Sequence, residues 1–164
     1  MGKDFCRFLM MGFLLLSFLM PATGLGQESI KIGLILPLSG TYAQPGKDSY
    51  NGAIFYLEKI EYMMAGRKVE LISEDEEASP AVALTKARKL IELNKVNLLA
   101  GPLLTNCAYA VQPYQESKKV PGLLIASADD LTQRKRGNWS IRVGYSSSQA
   151  THERALTRRA SMSA

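Results

Sequence analysis

Two cysteines, one histidine and one tryptophan in 164 residues leave little material for metal or nucleophilic chemistry. The single histidine, His152, falls near the end of the chain, where no serine or cysteine motif offers it a partner. Phosphate-cradling signatures are missing too. The first apolar run is followed by Pro37-Leu38-Ser39-Gly40 in place of G-x-G-x-x-G, and neither a P-loop nor a G-x-S-x-G elbow occurs. Charge of one sign is also scarce. The formal net charge is +5, but residues 1–26 and 152–164 carry +3 of it, leaving +2 on residues 27–151. That is an ordinary polar surface without the basic stripe that nucleic acid demands, so nucleic acid is excluded as a partner.

Long apolar runs are equally scarce. The longest, Phe8 to Met20, is thirteen residues, short of the roughly 20 that span a bilayer as a helix. Lys3 and Arg7 precede it, and Pro21 with the small residues Gly24 and Gly26 follows. This is the layout of a secretory signal over residues 1–26, cut near Gly26–Gln27, and it places the mature chain in the periplasm. An uncleaved anchor is the competing reading. Cys6 lies ahead of the run and not at the cut, which argues against a lipid anchor. If Cys6 leaves with the signal, Cys107 has no partner for a disulfide.

From Ile30 onward, apolar runs alternate with amphipathic segments. Ile30 to Leu36 reads as a strand buried on both faces, and Lys68 to Ile72, Val96 to Ala100, Val120 to Ala126 and Trp139 to Val143 as four more. Between them, Lys47 to Met63 has helical spacing closed by Gly66, with Ala53, Ile54, Leu57, Ile60 and Met64 as its apolar positions. A second helix opens at Ser79-Pro80 and runs to about Asn94, with Ala83, Ala87, Leu90 and Ile91 on one face. A third spans about Asn106 to Lys118. The alternation predicts an α/β, Rossmann-like open parallel sheet with helices on both faces over residues 27–150.

In such a sheet, ligands bind outside the carboxyl ends of the strands. Here these ends are the loops Pro37–Gly46, Gly101–Asn106 and Ala126–Asp130, rich in Ser, Thr, Gly and Asn. Thr105 and Asn106 open a helix whose free N–H groups and dipole favour an anion. Ser127 can donate and accept, and Ser39 with Gly40 lets a loop come close. The same residues also serve as ordinary caps and turns, and that reading stays open. Cys107 reads as a buried thiol, with an activated thiolate as its alternative. Glu74-Asp75-Glu76-Glu77 reads as a solvated loop before a helix start, and not as a metal site.

The first loop, with its P-L-S-G-x-x-A-x-x-G-x5-G-A pattern over Pro37 to Ala53, resembles the opening of the branched-chain amino-acid-binding proteins. These are type I periplasmic binding proteins that serve ABC importers. Glu74-Asp75 with Pro80, Gly101-Pro102-Leu103, Val120-Pro121 with Leu131-Thr132, and Arg142-Val143 with Ser148-Gln149 keep the family's order, so the resemblance runs from about Ile30 to Gln149. It implies two lobes closing on an amino acid or similar small polar solute, no cofactor, no catalysis, and an ABC permease as membrane partner. By motif, Thr105 takes a carboxylate-binding hydroxyl position, Ser127 a position that contacts both charged groups, and Ile125 a main-chain carbonyl that accepts from the ammonium. Pro45 stands where some members carry an aromatic over the ligand, and Tyr42 is the nearby substitute. Asp129 and Asp130 depart from the small or proline residues usual after the Ser127 position, and the cysteine pair of some members is absent.

Family members are longer and carry a second lobe. The Arg-, Ala- and Ser-rich tail over 151–164 breaks the strand–helix pattern, so the expectation is an N-terminal lobe cut short, weak or inactive in binding. Competing readings are the ligand-binding domain of a sensor, a nonfunctional remnant, and an exported flavodoxin-like enzyme.

Overall fold

The computed structural model describes residues 28–151; the signal and all but the first residue of the tail lie outside them. β1 (Ile30–Leu36) ends fully buried at Ile35 and Leu36, as its continuous apolar run requires. A 3-10 turn at Gly40–Tyr42 leads into α1 (Ala43–Lys59). This helix starts four residues before the expected Lys47, with Pro45 in its first turn, where a missing N–H costs nothing.

The end of α1 departs further from expectation. The helix stops at Lys59, and a hairpin follows: β2 (Met63–Met64) pairs antiparallel with β3 (Arg67–Asp75). Gly66, at φ +76°, with Ala65 at φ +50°, makes the two-residue turn of this hairpin and not a helix cap. Met64 is accordingly exposed on a strand instead of packing from the helix.

α2 (Pro80–Arg88) begins with Pro80 in its first turn and passes into one π-type turn, Lys89–Leu93. Ala83, Ala87, Leu90 and Ile91 are all buried, as their spacing demands. β4 (Leu98–Ala100), α3 (Thr105–Ser117), β5 (Gly122–Leu124) and β6 (Ser140–Arg142) complete the lobe. The three short strands are trimmed versions of the expected runs.

The sheet order is β2-β3-β1-β4-β5-β6, parallel throughout except at the β2 edge. The expected all-parallel sheet is therefore mixed at that edge. α2 and α3 pack side by side, and right-handed crossovers put α1 on the opposite face. The main core gathers Ile35, Leu99, Val96, Cys107 and Val111 under the buried stripe of α2 and its π turn.

Candidate functional site

The strand order sets where a ligand can enter. The chain runs from β1 to β3 on one side, then crosses over to β4 on the other, so strand order reverses at β1. Loops leaving β1 and β4 in opposite directions open a crevice at their carboxyl ends. β5 lies next to β4. With neighbouring strands about 4.8 Å apart, the three strand ends span roughly 10 Å, room for a small solute.

The β1 loop carries Ser39 and Tyr42. Ser39 is exposed, in extended backbone ahead of the 3-10 turn, and Tyr42 is 49% exposed. Asp75, the last residue of β3, ties this loop down: its Oδ1 accepts from the Leu38 N–H at 2.9 Å and from the Glu77 N–H at 2.9 Å. Burial pushes the Asp75 carboxyl upward, but the Ser39 hydroxyl and these amides outweigh it and hold it below its usual value.

The β4 loop turns sharply. Gly101 has φ +93°, and a Cβ there would stand 2.1 Å from the Ile35 carbonyl oxygen, so only glycine fits against β1. The next residues reach α3, where Thr105 is the first helical residue and half-buried. Asn106 is exposed, and its Oδ1 accepts from the Cys107 N–H at 3.0 Å, so its side chain is turned onto its own helix start.

Beneath this helix start lies a carboxylate. Glu76 is 0% exposed, and its Oε1 accepts from the Leu104 N–H at 3.2 Å. Burial pushes its carboxyl up to about 7, against the pull of the Leu104 amide and the Cys107 thiol. Cys107 is 0% exposed, and burial, then Glu76, pushes its thiol up to about 12. The thiol is therefore inert, as its buried reading requires. Glu74 is buried as well and pairs with Lys86 at 2.9 Å and Lys89 at 2.6 Å. The acidic run is thus no solvated loop: the strand end carries three of its side chains into the protein, and each holds a different element.

The β5 loop carries Ile125, half-buried just past the strand, and Ser127, half-buried in the loop. The Ser127 carbonyl accepts from the Ser147 N–H at 2.8 Å, and the two hydroxyls lie 3.3 Å apart. Arg142, at the end of β6, donates to the Ala126 and Ala128 carbonyls on either side of Ser127, and through Nε to the Thr132 hydroxyl at 3.2 Å. Asp129 accepts from the Ser148 hydroxyl at 2.8 Å, and the hydroxyls of Ser146 and Ser148 hold its carboxyl low. Asp75, Glu76, Arg142 and Ser147 were not among the sequence-derived site residues. Only the acidic run gave a signal, because bonds to main-chain groups leave no residue pattern.

A groove of about 520 Å³ between α3 and residues 135–138, lined by Tyr109, Gln112 and Glu116, lies toward the opposite ends of the strands. Lys135 stacks on the Tyr109 ring there, 4.5 Å from its centre. Among the described residues no group of His, Cys, Asp and Glu could hold a metal ion, and no helix is long and apolar enough to cross a membrane.

The lobe is an open doubly wound sheet with hydroxyl-bearing loops over its switch point, the architecture of a domain whose ligand sits at the strand ends. The family profile described as periplasmic binding protein matches residues 29–159, and the chain belongs to that family. Leu/Ile/Val-binding protein homolog 6 of Brucella abortus (strain 2308) is 30% identical over 112 residues, 68% of this chain and 29% of the relative. Among solved structures, an ABC transporter substrate-binding protein from Sphaerobacter thermophilus is 36% identical with a TM-score of 0.69, covering 72% of this chain and 33% of that one. A solute-binding protein of an R. palustris ABC transporter, in complex with benzoate, is 28% identical with a TM-score of 0.71, covering 74% and 34%. The chain therefore spans about a third of the length of these relatives.

Proposed function

We propose that the chain is the first ligand-binding lobe of an extracytoplasmic solute-binding protein that delivers an amino acid or a similar small carboxylate to an ABC permease. The observation that carries this reading is the set of three adjacent loops, bearing Ser39, Thr105 and Ser127, at the ends of β1, β4 and β5. Thr105 and the free N–H groups opening α3 hold the ligand carboxylate, helped by the positive end of the helix. Ser127 bridges carboxylate and ammonium, and the Ile125 carbonyl accepts from the ammonium. Ser39 and Asn106 line the crevice, and Tyr42 covers the ligand's side chain. No residue acts as a catalyst. Residues 1–26 export the chain to the periplasm.

The relatives' names and bound molecules support a carboxylate ligand: Leu/Ile/Val-binding in one case, benzoate in another. A single lobe leaves one face of the ligand in water, where charge-assisted contacts weaken, so the 164-residue chain is expected to bind at roughly millimolar strength. The test is amide NMR of the 164-residue chain titrated separately with L-leucine, L-isoleucine and benzoate. Shifts concentrated at residues 38–42, 103–107 and 125–128 with one of them are the expected result. Shifts elsewhere, or none with any of the three at about 10 mM, well above the expected dissociation constant, overturn the reading.

A further inference from the structure

Glu76 is buried in the wall of the crevice, with a carboxyl group that the ligand contacts above do not use. It follows β3 directly, and its own N–H extends the ladder to the Leu36 carbonyl at 2.9 Å. Its side chain then crosses to the β4 loop, where Oε1 accepts from Leu104, the residue before Thr105. Oε2 is buried with no hydrogen-bond partner among the described residues. Glu76 thus joins the main chains of β1 and of the α3 start, the two sides of the crevice.

We propose that Glu76 is a positioning residue for Thr105, and that its proton sets how firmly the turn Leu103–Thr105 is held. The inference rests on the reading of Thr105 as a ligand hydroxyl. An ionised carboxylate is the stronger acceptor for Leu104, since charge roughly doubles the strength of such a bond. The orphaned Oε2 and the dry surroundings favour the neutral acid. These two demands oppose each other, so the group sits near balance at ordinary pH. The titratable groups facing it are the Cys107 thiol from α3 and the Asp75 carboxylate from its own segment. Neither takes over its charge. The Asp75 carboxyl is held low by the β1 loop and the Cys107 thiol is held high, so Glu76 titrates alone across neutral pH. The cations of α2 and its π turn are engaged elsewhere: Lys86 and Lys89 both meet Glu74, and Arg88 lies over the Tyr114 ring.

The experiment needs no ligand, so its failure is distinct from failure of the proposed function. Amide spectra of the 164-residue chain are recorded from acidic to basic pH for the wild type, Glu76→Gln and Asp75→Asn. Leu104 and Thr105 are expected to titrate together near pH 7 in the wild type and in Asp75→Asn. In Glu76→Gln, which keeps an acceptor oxygen, both become flat while the fold is retained. Hydrogen exchange at Leu104 is expected to speed up at least about tenfold in Glu76→Ala and to be largely rescued in Glu76→Gln, the mark of a lost amide bond. A wild type with no such titration, or an unchanged titration in Glu76→Gln, overturns the proposal. If Glu76→Ala does not fold, the Glu76→Gln titration alone decides.

Discussion

Four consecutive acidic residues, Glu74 to Glu77, occupy four environments, and their chemistry follows from the partner each one reaches. Burial raises the Glu74 carboxyl, but the ammonium groups of Lys89 and Lys86 outweigh it, so the net shift is downward. Glu77 is exposed. Glu76 has amides and a thiol but no cation against it, and burial wins. The sign for stability follows. The folded carboxyl, at about 7, holds its proton more tightly than the ordinary value of 4.5. Its favourable contribution is therefore fully present below pH 4.5 and is lost as pH rises through 7. The loss is on the order of 3 kcal/mol, and Glu76→Gln does not suffer it. Urea unfolding at pH 5 and pH 8 is expected to show the variant gaining on the wild type at the higher pH by an amount of that order. Parallel pH dependence in the two proteins would mean that Glu76 is already ionised in the fold.

At the scale of the element, the β5 loop shows how a loop is held in place without regular structure. Ser127 sits between two carbonyls that a single guanidinium holds, and its main chain is fastened to Ser147. Truncating Arg142 to Ala leaves the Ala126 and Ala128 carbonyls without that donor, at a cost of about 1–3 kcal/mol. Arg142→Ala is expected to accelerate amide exchange over residues 126–131 and leave exchange in α2 close to the wild type. A uniform acceleration across the lobe would show that Arg142 supports the sheet and not the loop. The same scale explains what the sequence made legible. β1 and the Ala83–Ala87–Leu90–Ile91 stripe were readable because burial on fixed faces forces a residue pattern. The Met63–Met64 strand was not, since two exposed residues carry no period, and Gly66 suits a helix end as well as a hairpin. Thr105 could be read as a candidate because it opens a helix, and Ser127 because it is a hydroxyl in the loop past a strand end. Glu76 and Arg142 could not, because their partners are backbone groups distant in sequence.

For the molecule as a whole, the order β3-β1-β4-β5-β6 of the parallel strands makes the crevice a property of topology and not of any one loop. Both walls are held by the protein's own bonds: Asp75 fastens the β1 loop, Glu76 the β4 loop and Arg142 the β5 loop. A preformed crevice does not have to order its loops on binding, so even weak contacts appear as stabilisation of the folded state. Ligand at ten times its dissociation constant contributes about 1.4 kcal/mol. For a domain of this size that is a rise in Tm of about 5 °C. L-leucine, L-isoleucine or benzoate at about 10 mM is therefore expected to raise the Tm by this amount if it binds at millimolar strength. The rise is expected to disappear in the Thr105→Ala, Ser127→Ala double variant, whose own Tm stays close to the wild type because both side chains are only half-buried. A rise that survives in the double variant would place the ligand outside the crevice, with the groove beside Tyr109 and Lys135 as the next place to look.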